Sequence, residues 1–169
     1  KSKEIQEVLE VDAVLVATGR SPNSKDLNLE SLEIKTNKGF IQIDDNMRVL
    51  SDGKVIPNLW AVGDVTGKLM LAHTAAAQGT IAVENICGHE RTIDYKTIPA
   101  ATFTHPEISS VGLSESEAKA SSESENFSLG IVKSYFKANS KALAELEGDG
   151  LLKLIFNKDN GQVLGAHIF

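Results

Sequence analysis

The sequence has 169 residues, enough for one ordinary domain or parts of two. At 41% apolar and 24% charged it has the balance of a globular chain, and a net charge of −6 with acids and bases interspersed argues against a general nucleic-acid binder. Cys87 is the only cysteine, which excludes an internal disulfide, a redox dithiol and a cysteine metal cluster within these residues. No apolar run approaches the roughly 18 residues of a membrane helix.

Residues 5–11 alternate and read as a strand. Residues 13–17 are continuously apolar and are bounded by Thr18-Gly19-Arg20, the pattern of a strand buried on both faces of a helix-covered parallel sheet. Ser21-Pro22-Asn23 is turn chemistry, and Leu27, Leu29, Leu32 and Ile34 fall in a loop or short helical turn. Residues 40–44 alternate as a strand, residues 47–50 follow, and a turn is expected at Ser51-Asp52-Gly53. A short buried strand over residues 59–62 then ends at Gly63-Asp64.

A helix is predicted over residues 72–87, with Ala76, Gly79, Thr80 and Val83 on one face and Gly88 as the stop. Gly79 inside that helix costs about 1 kcal/mol relative to alanine, which a close approach to a strand or ligand would explain. Residues 88–97 are polar and read as a linker. Beyond them, residues 100–104 form a strand ended by His105-Pro106, and residues 109–112 stay extended. Ser114 with Glu117 makes a capping box for a helix over 115–120, and residues 121–126 read as a solvated loop. Residues 128–136 form a strand and residues 139–146 a loop or turn. Residues 151–157 and 162–169 form two strands joined by the hairpin signal Lys158-Asp159-Asn160-Gly161. The chain begins and ends inside extended stretches, so an internal piece of a longer protein is expected.

The chemistry gathers around residues 59–88. A strand that ends in an acid, beside a loop leading into a helix, suits a polar, anionic ligand: the carboxylate accepts from hydroxyls, and the helix start offers unpaired N–H groups and partial positive charge. Asp64 alone reads equally as a cap on the following turn. Gly63 before it favours a ligand, because a side chain there would block close approach. Thr18-Gly19-Arg20 reads either as a strand end with a turn glycine or as a backbone approach to a nucleotide at the carboxyl edge of a parallel sheet. His73 sits at the helix start, where a cofactor would meet its backbone; His105 reads as a turn residue, His89 as solvated and His167 as packing or interface. None of these has metal-site spacing. There is no nucleophile elbow, Walker lysine or G-x-G-x-x-G.

The ordered set Ala17-Thr18-Gly19-Arg20, Gly63-Asp64, Leu71-Ala72-His73-Thr74-Ala75-Ala76-Ala77-Gln78-Gly79, Phe103-Thr104-His105-Pro106-Glu107 and Val111-Gly112-Leu113 resembles the flavoprotein pyridine nucleotide-disulfide oxidoreductases. The Leu-Ala-His form of the loop is most similar to the dihydrolipoamide dehydrogenase branch. The segments Phe136-Lys137-Ala138-Asn139-Ser140-Lys141-Ala142-Leu143 and Gly165-Ala166-His167-Ile168-Phe169 resemble its plastid and cyanobacterial members.

That resemblance implies an α/β fold: the end of an NAD-binding domain over residues 1–20, a returning segment of a Rossmann-like FAD-binding domain over 21–95, and the first part of an α+β dimerisation domain over 97–169. It implies FAD held by Asp64, Met70, Leu71, Ala72 and His73, with backbone N–H groups at the helix start near the flavin pyrimidine, and NAD approached by Gly19. It further implies a homodimer that oxidises protein-bound dihydrolipoamide on the lipoyl domain of 2-oxo acid dehydrogenase complexes, in a bacterial cytoplasm or a plastid stroma. No catalytic residue is expected in these 169 residues: the family's cysteine pair, its two nucleotide glycine motifs and its His-Glu pair are missing, and Cys87 matches none of them, so the chain alone is expected to be inactive. The alternatives are another FAD-dependent disulfide reductase, a soluble transhydrogenase, or a non-redox binding or structural module. A Cys-x4-Cys pair upstream, with a His-Pro-Thr and a later Glu downstream, would confirm the dihydrolipoamide dehydrogenase branch over these alternatives.

Overall fold

The computed structural model describes residues 8–169. Strand β1 (Arg48–Ser51) turns through Asp52 and Gly53 into β2 (Lys54–Trp60), and the two pair antiparallel. Ahead of them the expected strand over residues 40–44 is an extended segment rather than a full strand. It bridges Ile43 to Val49, and its Gln42 carbonyl accepts from the Leu50 N–H at 2.7 Å. The alternation seen in the sequence is nevertheless real in burial: Ile41 and Ile43 are 5% and 3% exposed, while Gln42 between them faces solvent. Two short 3-10 turns, Lys25–Leu27 and Leu29–Leu32, lead into this layer.

Helix α1 (Ala72–Ile86) lies against it. Its buried residues are Thr74, Gln78, Ile81 and Ala82, spaced by four, three and one, which is one face of an α-helix. Ile34, Ile41, Ile43, Met47, Val49, Ile81 and Ala82 form a single core cluster. A wholly buried side chain such as Met47 contributes about 1.5–3 kcal/mol of transfer free energy there. The face singled out from the sequence, Ala76, Gly79, Thr80 and Val83, is the outer one: Val83 is 59% exposed, and apart from its own helix backbone nothing among the described residues comes within 4 Å of where a Gly79 Cβ would stand. The reason is that small residues at helical spacing mark a face without saying what it meets, whereas Ile81 and Ala82 carry the apolar area that the β1–β2 layer buries.

The segment after α1 is tied down more firmly than a linker. Asn85 Nδ2 donates to the carbonyls of Ile81 and Arg91, the Ile93 N–H donates to the Asp45 carbonyl at 3.1 Å, and Ile93 packs against the core. A 3-10 turn, Tyr95–Thr97, capped by the Asp94 carboxylate, then leads into the second half.

That half is an antiparallel sheet of five strands: β3 (Ala100–Thr102), β4 (Ile108–Gly112), β5 (Leu129–Tyr135), β6 (Leu151–Asn157) and β7 (Val163–Ile168), in the order β3-β4-β7-β6-β5. The β6–β7 hairpin predicted from Asp159-Asn160-Gly161 is present. Its turn is held by side chains: the Asp159 carboxylate accepts from the Ser128 N–H at 2.9 Å, which keeps it below its ordinary pKa, and Asn160 Oδ1 accepts from the Gln162 N–H.

Helix α2 (Glu115–Glu125) starts at the predicted capping box, where the Glu117 carboxylate accepts from the Ser114 N–H at 2.8 Å and Ser114 Oγ accepts from the Glu117 N–H. It runs five residues past the expected end at Ala120. Serines are weak helix formers, but here Ser121 Oγ reaches the Glu125 carboxylate, Ser124 Oγ reaches the Ser121 carbonyl, and Asn126 in the left-handed region closes the helix. Lys153 on β6 and Lys119 both pair with Glu115 and hold its carboxyl below the ordinary range. The expected loop over 139–146 contains a short helix, α3 (Ser140–Ala144), whose first N–H groups are capped by Asn139 Oδ1.

Residues 13–17 differ most from expectation. They form no strand, and Val14, Leu15 and Val16 are 78%, 90% and 77% exposed. Of the strand expected over 5–11, residues 8–11 are likewise exposed coil, and the remainder lies outside the described residues. A strand exists only when its N–H and C=O groups are paired, and no described segment pairs with this one. No helix among the described residues is long and apolar enough to cross a membrane.

Candidate functional site

The end of β2 feeds Ala61 and Val62 into Gly63, which has φ 82° and ψ −162°, a conformation that side-chain-bearing residues avoid. Gly63 is clamped on both sides. Its N–H donates to Gln78 Oε1 at 2.7 Å, and its carbonyl accepts from both the N–H and the hydroxyl of buried Thr66, at 3.0 and 2.8 Å. The clamp opens the 3-10 turn Asp64–Thr66, with Gly67 closing it in the left-handed region. A Cβ at Gly67 would meet the Phe40 ring at 2.7 Å. In this turn Asp64 has an exposed side chain, and its carboxylate forms no hydrogen bond or ion pair among the described residues.

The turn leads through Lys68, Leu69 and Met70 to Leu71, the residue before α1, which is extended and supplies no side-chain cap. The Ala75 N–H is the first to find a helical carbonyl, that of Leu71. The N–H groups of Ala72, His73 and Thr74 therefore have no acceptor among the described residues, and their partial charges give the α1 start a positive potential. Thr74 adds a further unmet group: its side chain is fully buried, and Oγ1 has no hydrogen-bond partner. Buried hydroxyls are ordinarily paired.

Several of the residues expected from the sequence come together here. Arg20, Ser21, Pro22 and Asn23 line a cleft of 280 Å³ with Phe40, Asp64, Val65 and Met70. The Thr18-Gly19-Arg20 motif and the Gly63-Asp64 motif, 44 residues apart in sequence, thus meet through Arg20 and Asp64 and bring opposite charges to one opening. Leu71, Ala72 and His73 continue from its rim into the helix. Gly19, at φ 92°, is exposed, with no atom within 4 Å of a Cβ position.

The His73 ring turns away from the cleft: Nε2 lies 2.6 Å from the Pro99 carbonyl, which can only accept, so this nitrogen carries the proton. What His73 can present to a ligand is its backbone. Of the other histidines, His105 lies in the turn after β3, His89 is exposed, and His167 Nε2 reaches the Leu113 carbonyl at 3.0 Å from its place on β7.

Gln78 and Tyr95 escaped the sequence reading. Gln78 is 1% exposed and bridges Gly63 to the Tyr95 hydroxyl, to which its Nε2 donates at 2.9 Å. The signal for it was present: a glutamine four residues after Thr74 and three before Ile81 sits on the inward face of α1. Tyr95 carried no comparable signal, because it lies in a polar stretch without periodicity.

Comparison with known proteins places the chain in a family. Residues 1–79 match the pyridine nucleotide-disulphide oxidoreductase family, and residues 98–169 match that family's dimerisation domain. The chain is 57% identical over 169 residues to the dihydrolipoyl dehydrogenase of Synechocystis and 52% identical over 170 residues to the chloroplastic dihydrolipoyl dehydrogenase 2 of Arabidopsis thaliana, covering 99% and 100% of this chain. It spans about a third of the length of these relatives, 36% and 30% respectively. Among solved structures, the HOCl-induced flavoprotein disulfide reductase RclA of Escherichia coli superposes with a TM-score of 0.76 at 30% identity, over 95% of this chain and 35% of that one. LpdA of Mycobacterium tuberculosis superposes at 0.70 and 29% identity, over 87% of this chain and 30% of that one. The chain belongs to the pyridine nucleotide-disulphide oxidoreductase family.

Proposed function

We propose that the intact protein is a dihydrolipoyl dehydrogenase that binds FAD and NAD, and that this chain supplies one wall of its flavin site together with part of its dimer-forming sheet. The observation that carries the reading is the pairing of an uncommitted Asp64 carboxylate with an uncapped α1 start beside one cleft. The two relatives named above, both called dihydrolipoyl dehydrogenase, support the choice within the family.

The residues present fit a flavin dinucleotide. Such a ligand offers hydroxyls that a carboxylate can accept, which suits Asp64. It also offers carbonyl and ring-nitrogen acceptors, which suit the unpaired N–H groups of Ala72, His73 and Thr74. When bound, the flavin would supply two-electron transfer between a dithiol and a nicotinamide. This chain's own part is binding and electrostatics: Asp64 holds the polyol, Met70 and Leu71 give an apolar edge that excludes water, and the α1 start stabilises negative charge that develops on the ring carbonyl side. The Gly19 backbone, open on its Cβ side, gives the nicotinamide nucleotide room to approach.

The overall reaction would oxidise the two thiols of a protein-bound dihydrolipoamide to its disulfide while NAD⁺ takes up a hydride and a proton is released. Cys87, exposed at the end of α1, is the only cysteine in the sequence, so the thiol–disulfide step uses cysteines outside these 169 residues. The lipoyl domain of a 2-oxo acid dehydrogenase complex is the macromolecular substrate, and a second copy docks on the five-stranded sheet.

The test is the intact protein, purified and assayed for dihydrolipoamide-dependent NAD⁺ reduction with its flavin content measured. Yellow, active protein is expected. A flavin-containing protein that reduces another disulfide but leaves dihydrolipoamide untouched would move the reading to a different reductase. A colourless protein indifferent to added FAD would overturn it.

A further inference from the structure

We infer that Gln78 is a positioning residue for the cofactor: through its bond to the Gly63 N–H it fixes the direction of the Asp64 carboxylate relative to the α1 start, and through Tyr95 it ties that direction to the segment leading into the five-stranded sheet. The inference rests on the flavin reading of Asp64 given above.

The geometry allows Gln78 one orientation. The Gly63 N–H can only donate, so the amide oxygen faces it at 2.7 Å, and the amide nitrogen is left to donate to the Tyr95 hydroxyl at 2.9 Å. Gln78 is 1% exposed, so its own end of both bonds is buried, while Gly63 and Tyr95 are half-buried. The Gly63 peptide is held by Gln78 at its N–H and by Thr66 at its carbonyl, so the next residue, Asp64, leaves the clamp in a set direction. Gln78 projects from the second turn of α1, the same helix whose first turn offers the unpaired N–H groups. One side chain therefore registers the acid against the helix start, the two halves of the proposed ligand contact.

Tyr95 extends this chain of bonds outward. Its hydroxyl accepts from Gln78, and Lys68, in the loop between Asp64 and α1, has its ammonium 6.0 Å from the ring centroid. Burial pushes the Tyr95 hydroxyl above its ordinary pKa. Five residues further on, the Ala100–Thr102 strand begins the sheet, and the Pro99 carbonyl just before that strand holds the His73 ring. Cofactor wall and sheet are thus joined by two side-chain links, one through Gln78 and one through His73.

The test uses FAD titrations of the intact, flavin-stripped protein followed by flavin fluorescence, with wild type, Asp64→Ala, Gln78→Met and the double variant. Methionine fills the glutamine's volume but leaves the Gly63 N–H without an acceptor. Gln78→Met is expected to weaken FAD binding about tenfold or more. Because it acts through Asp64, the double variant is expected to bind no more than about threefold more weakly than Asp64→Ala alone. A purely structural role predicts additive losses, and that result, or unchanged affinity in Gln78→Met, would overturn the inference.

Should Gln78→Met fail to fold, Tyr95→Phe removes only the outer bond. A smaller loss of about threefold that disappears in the Asp64→Ala background supports the inference, and no loss contradicts it. Failure of wild type itself to bind FAD is a separate result that removes the flavin reading, and the positioning role with it.

Discussion

The two halves of the molecule solve the same problem differently. Residues 21–95 bury their own apolar side chains: seven residues from Ile34 to Ala82 form one cluster, and Met47 and Val49 are 0% and 1% exposed. The second half pairs its five strands antiparallel, with one register shift between Ile155 and Phe156, yet its buried apolar residues are few, Ile155 on β6 and Ala118 on α2. Phe103, Val132, Tyr135 and Leu146 are 84%, 50%, 57% and 92% exposed. Backbone pairing alone makes a sheet regular, but burial makes it stable. The first half therefore mounts the candidate site on a core cluster of its own, although Leu27, Leu32, Val83 and Ile86 stay exposed. The second half has little core and exposes apolar side chains on strands and loops, which suits the dimerisation domain that residues 98–169 match.

Truncating Met47 to alanine breaks the contrast most severely. The side chain is fully buried, so about 2–5 kcal/mol of local stability is expected to go. In the intact protein, amide exchange over residues 41–50 and 81–85 should accelerate, while the β6–β7 ladder stays protected. Equal acceleration in both would mean that the halves stabilise one another as a unit.

Ser114→Ala probes the second half more gently. It removes the acceptor for the Glu117 N–H and is expected to cost α2 about 1 kcal/mol, read as faster exchange in its first turn. Unchanged exchange there would show that the Glu117 carboxylate on the residue-114 N–H and the pairs of Glu115 with Lys119 and Lys153 pin the helix without the Ser114 hydroxyl.

The smallest effect is with pH. Glu115, Glu117 and Asp159, all in the sheet half, have carboxyls held below their ordinary values, mainly by Lys119 and Lys153, by Ser114 and by the Ser128 N–H respectively. A depressed folded-state pKa adds stability above the unfolded value and loses it as pH falls through the folded one. The sheet half should therefore loosen from about pH 4.5 downward. Lys35, raised by Asp52, and Tyr95, raised by burial, work at the other end, their contributions fading as pH rises beyond 10. Exchange that loosens first in residues 21–95 under acid would contradict this division.

Local signals were the legible ones. The β6–β7 hairpin, the Ser114 capping box and the span of α1 were all readable because turn chemistry, caps and helical spacing act within a few residues. Residues 13–17 carry strong strand character but find no pairing partner among the described residues, and propensity cannot supply one. At the site, Asp64 and the α1 start were legible from order and chemistry, and Arg20 was named in its motif. Their meeting in one cleft depends on how the 21–47 segment wraps, which no local pattern encodes. Gln78 lay off the helix face that the small residues marked, and its two partners lie 15 and 17 residues away, in the turn after β2 and in a segment that read as linker.

The central claim, that Asp64 beside the α1 start holds the flavin, is tested most directly by the FAD affinity of the intact protein with and without its carboxylate. Asp64→Ala is expected to weaken FAD binding by about 1–3 kcal/mol, roughly five- to 150-fold, because ligand hydroxyls lose their acceptor. An Asp64→Ala protein that retains wild-type FAD content and affinity would contradict the account.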